Sequence, residues 1–222
     1  MREILNDFLS AVLLSKPDDV YLFAKEYFHP FNPTPVKEKP LIICGPYGVG
    51  KKTIRKYMLE KYGDLFDYAW SYTTRLMKAD EEQGVQYNFI SDAEFDWWAA
   101  NGEFLEQVEH WNARYGTSQA EIDRIWKENK IPLIEVDFKG AKNLSTIAAN
   151  FVFVYPPSIQ TLWKRLAAWT DITEELFKQR IAEAIKEIEL ANNAVLFTNR
   201  IVNDDFHKTE IKIQTLVDAL YF

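Results

Sequence analysis

An apolar pattern with a helical period runs through the first 28 residues and is interrupted once. The first set of apolar positions shares one helix face: Ile4, Leu5, Phe8, Leu9, Val12 and Leu13. After a break at SKPD, residues 15–18, a second face contains Val20, Phe23, Ala24, Tyr27 and Phe28. The pattern predicts a hairpin of two helices. Because two helices of this length cannot bury both apolar faces against each other alone, the hairpin needs a partner surface.

From residue 40 onward, apolar runs alternate with segments of helical length. The apolar or alternating runs are LIICG, YAWSYTTR, YNFIS, EFLEQVEH, PLIEVD, FVFVYPP and RIVNDD. Helices are predicted at residues 51–61, 92–100, 118–128, 158–168, 173–191 and 207–220. Such alternation predicts an α/β fold in which helices cover both faces of a parallel sheet. Residues 71–111 contain several predicted strands, which indicates a strand-rich insertion.

A proline-rich stretch, HPFNPTPVKEKP at residues 29–40, separates the two patterns. Its composition is typical of a stiff linker. The chain therefore divides into a helical hairpin at residues 1–30, a linker at 31–39 and an α/β domain at 40–222.

Composition and charge exclude several classes of function. A net charge of −7 and a pI of about 5.1 leave no global basic field that could hold nucleic acid. The single cysteine, Cys44, lies in an apolar run, which excludes an intramolecular disulfide and predicts a core thiol in a reducing compartment. No run reaches the roughly 18 apolar residues of a membrane span, and no signal-peptide pattern is present. A cytoplasmic protein is predicted.

The first chemical signal is the stretch LIICGPYGVGKKTIRKYM, residues 41–58. Gly45, Gly50 and Lys51 match the pattern G-x-x-x-x-G-K-[ST], and Gly48 adds a third glycine. Backbone N–H groups of such a loop wrap a polyphosphate at a helix N-terminus, and the lysine adds positive charge. A polyphosphate site is therefore predicted at Gly45, Gly48, Gly50 and Lys51.

One position of this pattern is discordant, because Lys52 stands where a Ser or Thr hydroxyl ligates Mg²⁺. A charged lysine offers three donors and no lone pair, so Lys52 cannot ligate a metal in that state. The next residue is Thr53, but one step along a helix turns a side chain by about 100°, so Thr53 is a doubtful replacement.

A second series of motifs fills the middle of the chain. SYTTRLMKADEEQGVQYNF fits S-x-T-T-R-x-x-[RK]-x-x-E-x-x-G-x-x-Y-x-F without a gap, and NGEFLE, YGTS, PLIEVDFKGA, PPS and IVNDD follow in order. Over about residues 40–220 the chain resembles the guanylate kinases. The resemblance implies a P-loop kinase fold with a GMP-binding insertion at about 70–117 and a lid at about 164–180. It also implies transfer of a phosphoryl group from ATP to GMP, with Mg²⁺ accompanying the ATP.

The residue types in these motifs suit a guanine base. The N1–H and N2–H₂ groups of guanine can donate to a carboxylate such as Glu106, with Glu135 near. Its O6 and N7 atoms accept, so the hydroxyls of Thr117 and Ser71 can donate to them.

Other residues of the motifs suit the GMP phosphate. Arg75 and Lys78 can neutralise this dianion, and the hydroxyls of Tyr87 and Tyr115 can donate hydrogen bonds to it. Glu81 completes the motif, and a surface ion pair with Arg75 is the alternative role for both residues.

The resemblance also assigns catalytic residues. Lys51, Arg165 and Arg180 correspond to cations around the moving phosphoryl group, Asp137 to an acid near the metal and Lys51, and Asn203 to a residue near the adenine. A third arginine of the family falls at Trp169, in a segment that lacks the lid glycines. Lys78 replaces an arginine, and Glu135 replaces an aspartate.

The N-terminal stretch ILNDFLSAVLLSKPDDVYLFAKEYF resembles the dimerisation and docking domain of protein kinase A type II regulatory subunits. That resemblance implies a homodimer whose groove takes an amphipathic helix of an anchoring protein. The docking residues are then Ile4, Phe8, Val12, Val20, Phe23 and Tyr27, which would be exposed on a lone hairpin. The alternative is a hairpin that packs on its own domain.

Three functions remain open from the sequence. They are a guanylate kinase of reduced rate, an inactive module that binds phosphoserine peptides as in scaffold proteins, and a dimeric adaptor anchored in a cytoskeletal or ciliary assembly. Lys52 and Trp169 favour the module, whereas Glu106 and Thr117 favour a guanine ligand, since a peptide has no base. GMP binding is the favoured interpretation. The histidines, His29, His110 and His207, lack metal-ligand spacing and are assigned structural or solvent roles.

Overall fold

The computed structural model describes residues 2–28, 37–110, 112–168 and 173–222. The chain forms two compact units, Met1–Val36 and Lys37–Phe222. Most of the predicted linker, residues 31–36, lies outside the described residues, and so does Trp169.

The first unit contains the predicted helical hairpin, with α1 at Arg2–Ser15 and α2 at Val20–Phe28. The connection places Lys16 at a positive φ of 44°, and Pro17 follows it. Asp19 caps α2, since its carboxylate accepts hydrogen bonds from the N–H groups of Tyr21 at 2.9 Å and Leu22 at 3.0 Å. The hairpin is therefore confirmed, and local capping explains why α2 begins where it does.

Phe8 is the centre of an aromatic cluster that joins the two helices. Its ring centroid lies 6.1 Å from that of Phe23, 5.3 Å from that of Tyr27 and 4.8 Å from that of Phe28. The expectation that Phe8, Phe23 and Tyr27 are exposed on a lone hairpin is thus wrong, because each is half-buried against the sister helix. A helical period identifies an apolar face but does not say whether that face meets the sister helix or solvent.

A different set of apolar side chains is exposed on the hairpin. We call this set the leucine surface; it comprises Leu5, Leu9, Leu13 and Leu14 of α1 with Val20, Tyr21 and Leu22 of α2. Of the predicted docking residues, Val20 belongs to it and Val12 is half-buried. Ile4 lies in α1, but its side chain is outside the described part of the structure.

The second unit alternates strands and helices as the sequence predicts. Its elements are β1 (Leu41–Cys44), α3 (Lys51–Lys61), β2 (Phe66–Tyr68), β3 (Tyr72–Thr73), β4 (Asn88–Phe89), α4 (Asp92–Ala100), β5 (Phe104–His110), β6 (Ala113–Ser118), α5 (Gln119–Lys127), β7 (Ile131–Val136), α6 (Phe138–Asn143), β8 (Asn150–Tyr155), α7 (Ile159–Ala167), α8 (Glu174–Asn193), β9 (Asn199–Val202) and α9 (Phe206–Tyr221). A 3₁₀ turn, Leu144–Thr146, follows α6.

The central sheet has five parallel strands in the order β2-β7-β1-β8-β9. Alternate residues of β1 enter two cores: Leu41 and Ile43 pack with α3 and α9, whereas Ile42 and Cys44 pack with α5, α6 and α8. Both faces are covered, so the α/β prediction is confirmed. Because β1 is the middle strand, the loop after it lies between the ends of β7 and β8, where ligands of open parallel sheets bind.

The predicted insertion forms a second sheet, in the order β4-β3-β6-β5. β6 pairs antiparallel with β3 and with β5, whereas β3 pairs parallel with β4. The run YAWSYTTR, which was predicted as one extended run, is divided between the two sheets, since Tyr68 ends β2 and Tyr72 begins β3. Its strands β5 and β6 contain Glu106 and Thr117, two of the residues predicted to contact guanine.

The helix bounds agree with the predictions to within two residues. α3 and α4 have the predicted bounds, and α5 and α7 begin one residue later because Ser118 and Ser158 are their N-caps. The short helix α6 and the strand β6 were not predicted. Asp137 begins α6 by accepting the Gly140 N–H at 2.7 Å.

Candidate active site

The glycine loop between β1 and α3 adopts a conformation that favours glycine. Gly50 has φ 102° at the N-cap of α3, and a Cβ there would lie 2.4 Å from Asn203 Nδ2. Gly48 has φ 80°, and a Cβ there would lie 2.6 Å from Leu166 Cδ2 on α7. Side chains at these positions would be strained and would clash. The loop therefore presents backbone at the start of α3, as a phosphate site requires.

Lys51 lies across this loop. Its Nζ atom donates to the carbonyl of Gly45 at 2.6 Å and to that of Pro46 at 3.3 Å. The next residues, Lys52 and Thr53, are exposed in the first turn of α3. The ammonium of Lys51 is thus held at the loop, where a phosphate can take over its hydrogen bonds.

Asn203 and Arg165 form hydrogen bonds with backbone carbonyl groups at the glycine loop. The Asn203 amide donates to the carbonyl of Val49 at 2.8 Å and accepts from the hydroxyl of Thr209 at 3.0 Å. Arg165, on α7, donates to the carbonyls of Asn203 at 2.8 Å and Val49 at 3.3 Å. Both residues hold backbone of the loop, so they fix its shape in addition to any contact with nucleotide.

Arg180, on α8, reaches the same loop through an aromatic contact. Its guanidinium carbon lies 3.3 Å from the ring centroid of Tyr47, which follows Gly45 and Pro46. A guanidinium over a phenol face is a cation–π contact. Burial lowers the pKa of Arg180, while Tyr47, Glu183 and Tyr115 raise it.

The predicted phosphate residues of the acceptor side lie together in the insertion. Arg75 makes two parallel hydrogen bonds of 2.8 Å to the carboxylate oxygens of Glu81, which also accepts the Lys78 N–H at 2.9 Å. The hydrogen bonds of Arg75 lower the pKa of Glu81 to about 2. The Arg75 guanidinium lies 5.3 Å from the ring centroid of Tyr87, and that ring lies 5.8 Å from the ring of Tyr115. Glu81 thus orients the Arg75 guanidinium near the ring of Tyr87.

Glu106 and Thr117 face each other across β5 and β6. Thr117 Oγ1 donates to Glu106 Oε1 at 2.8 Å, and only 5% of the Glu106 surface is exposed. The second oxygen, Oε2, is buried and has no hydrogen-bond partner in the part of the chain that the structure describes. Burial raises the pKa of Glu106 to about 7. Ser71, whose hydroxyl is also predicted to contact the base, is buried and directly precedes β3, which pairs with β6.

The raised pKa of Glu106 predicts a pH-dependent gain in stability for Glu106→Gln. The folded chain binds this proton more tightly than the unfolded chain, so ionisation destabilises the fold as the pH rises from about 4.5 to about 7. The stability of Glu106→Gln relative to wild type should therefore increase between pH 5 and pH 8 by about 1–3 kcal/mol. Urea denaturation without nucleotide measures it. Glu109→Gln, at an exposed position of β5, is the control and should show no such increase.

Glu135 is engaged by Arg55 of α3. Arg55 Nη1 lies 3.2 Å from Glu135 Oε2, and its guanidinium carbon lies 4.3 Å from the ring centroid of Tyr68. Since this carboxylate already has a cationic partner, Glu106 is the better acceptor for a base. The role of Glu135 beside guanine stays a prediction.

Asp137 is held by two donors. One oxygen accepts the Gly140 N–H, and the other pairs with Nε2 of His110. Burial acts to raise the pKa of Asp137, but the hydrogen bonds from His110 and Gly140 outweigh it and lower the pKa. The hydrogen bond to Asp137 in turn raises the pKa of His110. His110, predicted to be structural or solvent-facing, thus contacts a predicted site residue.

The residues around the loop do not fit a resident metal ion. Lys52 has no lone pair to offer while charged, and Asp137 is already paired. Across the described ranges, no three His, Cys, Asp or Glu side chains lie together as metal ligands would. Magnesium would have to arrive on the phosphates of ATP, as part of that substrate.

Sequence reasoning missed several residues of the site. Tyr47 and Arg55 lie within the quoted stretch 41–58, but neither belongs to the glycine pattern. Glu187, on α8, has a buried oxygen without a hydrogen-bond partner among the described residues, and burial raises its pKa to about 7. The sequence pattern of α8 does not identify Glu187 as a site residue. The charged groups that also affect its pKa, Lys51 and Asp137, lie in distant parts of the chain.

A parallel sheet, a glycine loop after its middle strand and a lysine at the start of the next helix define a P-loop nucleotide-binding protein. Comparison with known proteins narrows this class, because the family model described as "Guanylate kinase" matches residues 37–220. The chain belongs to the guanylate kinase family.

Individual relatives agree with this assignment. The guanylate kinase of Schizosaccharomyces pombe is 34% identical over 183 residues, which cover 82% of this chain and 91% of that relative. Guanylate kinase 1 of Oryza sativa is 35% identical over 170 residues, which cover 76% of this chain and only 44% of the rice protein. The crystal structure of guanylate kinase from Anaplasma phagocytophilum has the same fold, with a TM-score of 0.62 and 22% identity over 82% of this chain and 85% of that one.

The N-terminal hairpin matches a different family. The model described as "Regulatory subunit of type II PKA R-subunit" matches residues 1–30. Within the described residues, no helix combines the length and apolar character needed to cross a membrane.

Proposed function

We propose that the α/β domain binds GMP and ATP and transfers the γ-phosphoryl group from ATP to GMP, giving ADP and GDP. The observation that carries this proposal is Glu106: a buried carboxylate with one oxygen bonded to Thr117 and the other without a partner among the described residues. A buried polar atom without a partner is costly, so it implies a ligand that donates to it. The N1–H and N2–H₂ groups of guanine are such donors.

The phosphate of GMP would lie against Arg75, Lys78, Tyr87 and Tyr115. Arg75 is oriented by its two bonds to Glu81 and keeps further N–H groups for a phosphate. Tyr87 and Tyr115 bring hydroxyls to the same region. The insertion would therefore hold both ends of GMP, the base at β5 and β6 and the phosphate near Arg75.

The phosphates of ATP would lie on the glycine loop. Lys51 would exchange its two carbonyl partners for phosphate oxygens, and Asn203 and Arg165 would keep the loop in shape. Arg180 would face the moving phosphoryl group from α8. Magnesium would enter with ATP, and we propose that Asp137 is the nearest acid to it, while Lys52 repels it.

The alternative is an inactive domain that binds a phosphoserine peptide at Arg75. The lysine at position 52 supports it, since a peptide-binding module needs no metal ligand. Glu106 argues against it, because a peptide has no base to satisfy a buried carboxylate. We therefore favour GMP binding, with transfer slowed by Lys52 and Trp169. A coupled assay with ATP, Mg²⁺ and GMP tests the transfer itself.

GMP is expected to bind more tightly than AMP by about 1–3 kcal/mol, roughly 5- to 150-fold in affinity. The reason is that AMP presents a bare N1 acceptor to the Glu106 carboxylate. Calorimetry at pH 8, where this carboxylate is ionised, measures both affinities. Glu106→Ala should remove most of the difference, and Glu109→Ala on the same strand should keep it. Equal affinities in the wild type would remove the argument for a guanine site.

We also propose that the N-terminal hairpin makes the protein a homodimer and that the dimer presents a groove to an amphipathic helix of an anchoring protein. The leucine surface supports this, because seven large apolar side chains are exposed on two short helices. Packing of the hairpin on its own domain is the alternative. A cytoplasmic location, and a cytoskeletal or ciliary assembly, stay predictions.

A further inference from the structure

Tyr47 occupies an unusual place in the glycine loop. It is the one large side chain between Gly45 and Gly48, and 43% of it is exposed. Its ring lies against Arg180, with 3.3 Å between the guanidinium carbon and the ring centroid. Nothing in the phosphate-binding pattern requires an aromatic residue here, since the loop binds phosphate through backbone N–H groups.

The phenol of Tyr47 interacts electrostatically with charged and polar groups on both sides of the site. Burial raises the pKa of Tyr47, Arg180 and Arg75 lower it, and Tyr115 raises it. Arg75 and Tyr115 belong to the proposed site for the GMP phosphate. The ring contact with Arg180 places a cation of α8 at the donor loop, and the phenol is also influenced by residues of the acceptor side.

This position matters for the transfer step. An oxygen of the GMP phosphate forms a bond to the γ-phosphorus of ATP, while the bond from that phosphorus to the β–γ bridging oxygen breaks and its electron pair leaves with ADP. Charge spreads over the oxygens of the moving group, and cations must already be in place to stabilise it. Arg180 is a long side chain on α8, so each contact that fixes its guanidinium reduces the rotamer entropy lost when the nucleotides bind.

We propose that Tyr47 is a positioning residue, whose ring holds the Arg180 guanidinium at the glycine loop, between the donor and acceptor phosphates. This inference rests on the proposed function and adds a residue to it. A planar guanidinium stacks on an aromatic ring through its face and not through its N–H groups, so the contact with Tyr47 orients the plane of the Arg180 guanidinium. Arg180 therefore loses less rotamer freedom when both nucleotides bind.

The variants Tyr47→Phe and Tyr47→Leu test whether the aromatic ring of Tyr47 is the group that positions Arg180. Phenylalanine keeps the aromatic face, whereas leucine removes it at an exposed position where folding should survive. The probe is a bisubstrate analogue, guanosine and adenosine joined by a pentaphosphate, because it fills both phosphate sites. Calorimetry of the full chain should show about 5- to 10-fold weaker binding of the analogue by Tyr47→Leu and within about twofold of wild type for Tyr47→Phe. Affinity for GMP alone should change little in either variant.

A double-variant cycle identifies Arg180 as the residue through which Tyr47 acts. In an Arg180→Gln background, Tyr47→Leu should weaken the analogue no further. Equal binding by wild type and Tyr47→Leu, tighter binding by Tyr47→Leu, or full additivity with Arg180→Gln would each overturn the positioning role while leaving the proposed function standing. A wild-type protein that binds neither GMP nor the analogue would overturn both. Thermal unfolding of each variant confirms that a loss of binding is not a loss of fold.

Discussion

Replacing Lys52 by serine and Trp169 by arginine in the same chain is expected to raise the rate of phosphoryl transfer by about 100-fold or more. Serine supplies the hydroxyl that ligates Mg²⁺ on the bound phosphates, which a charged lysine cannot do. The arginine restores a third cation for the charge that develops on the moving group. Lys52 is exposed, so the substitution should leave the fold intact.

The two single variants show how each position contributes. Lys52→Ser alone should raise kcat, and Trp169→Arg alone should raise it less while the metal is poorly held. Because both act on one transition state, their effects should not add. The coupled ATP, Mg²⁺ and GMP assay measures all four proteins. Lys56→Ser, one turn later on α3, removes the same charge from an exposed side chain and should leave the rate near that of wild type.

The magnesium dependence of ATP binding gives an independent measurement. The wild type should bind ATP with little dependence on Mg²⁺, whereas Lys52→Ser should bind more tightly when Mg²⁺ is present. Calorimetry with and without the metal compares the two proteins. If the wild type is already as active as Lys52→Ser, the lysine at position 52 does not limit catalysis.

Sequence patterns identified most of the fold because its signals are local. The glycine spacing gave the loop after β1, and the alternation of apolar and polar positions gave α3, α4, α5 and α7 to within one residue at each end. The helix α6 was missed because it is six residues long and contains Gly140, so it has little period to detect. The strand β6, ARYGTS, was missed because it is polar and belongs to the sheet that carries the site.

The geometry of the site depends on contacts between distant residues, which a single sequence does not report. Arg55 and Glu135 are 80 positions apart, and His110 and Asp137 are 27 apart. Each residue type was visible, but its partner was not. The same holds for Arg180 and Tyr47, whose contact joins α8 to the glycine loop. Sequence reasoning could therefore place charges near the site but could not say which of them neutralise one another.

In the hairpin, the helical period likewise did not show which apolar residues contact the other helix and which are exposed. The period placed Phe8 and Leu9 on one stripe, yet Phe8 packs against α2 while 56% of Leu9 is exposed. The face of α1 that meets α2 and the face that remains exposed are neighbours, about one residue step apart. A partner for the hairpin should therefore contact the leucine surface more than the aromatic cluster.

The full chain is expected to be a dimer in solution, with a mass about twice 26.0 kDa, and a chain that starts at Lys37 is expected to be a monomer. Pairing two hairpins would bury two copies of the leucine surface, and burial of apolar area is worth about 25 cal/mol per Å². A two-fold axis closes such an assembly, so it should not grow beyond a dimer. Light scattering at micromolar concentration measures both masses.

A charge on the leucine surface should dissociate this dimer without unfolding the hairpin. Leu9→Asp places a carboxylate where the two copies would meet, whereas Asn6→Asp places it on an exposed polar position of the same helix. We expect Leu9→Asp to be monomeric and Asn6→Asp to remain dimeric, with similar helical content by circular dichroism. A wild-type chain that is monomeric at micromolar concentration would contradict both the dimer and the docking groove, because a groove between two hairpins requires two hairpins. The leucine surface would then be left to pack on the kinase-like domain of its own chain.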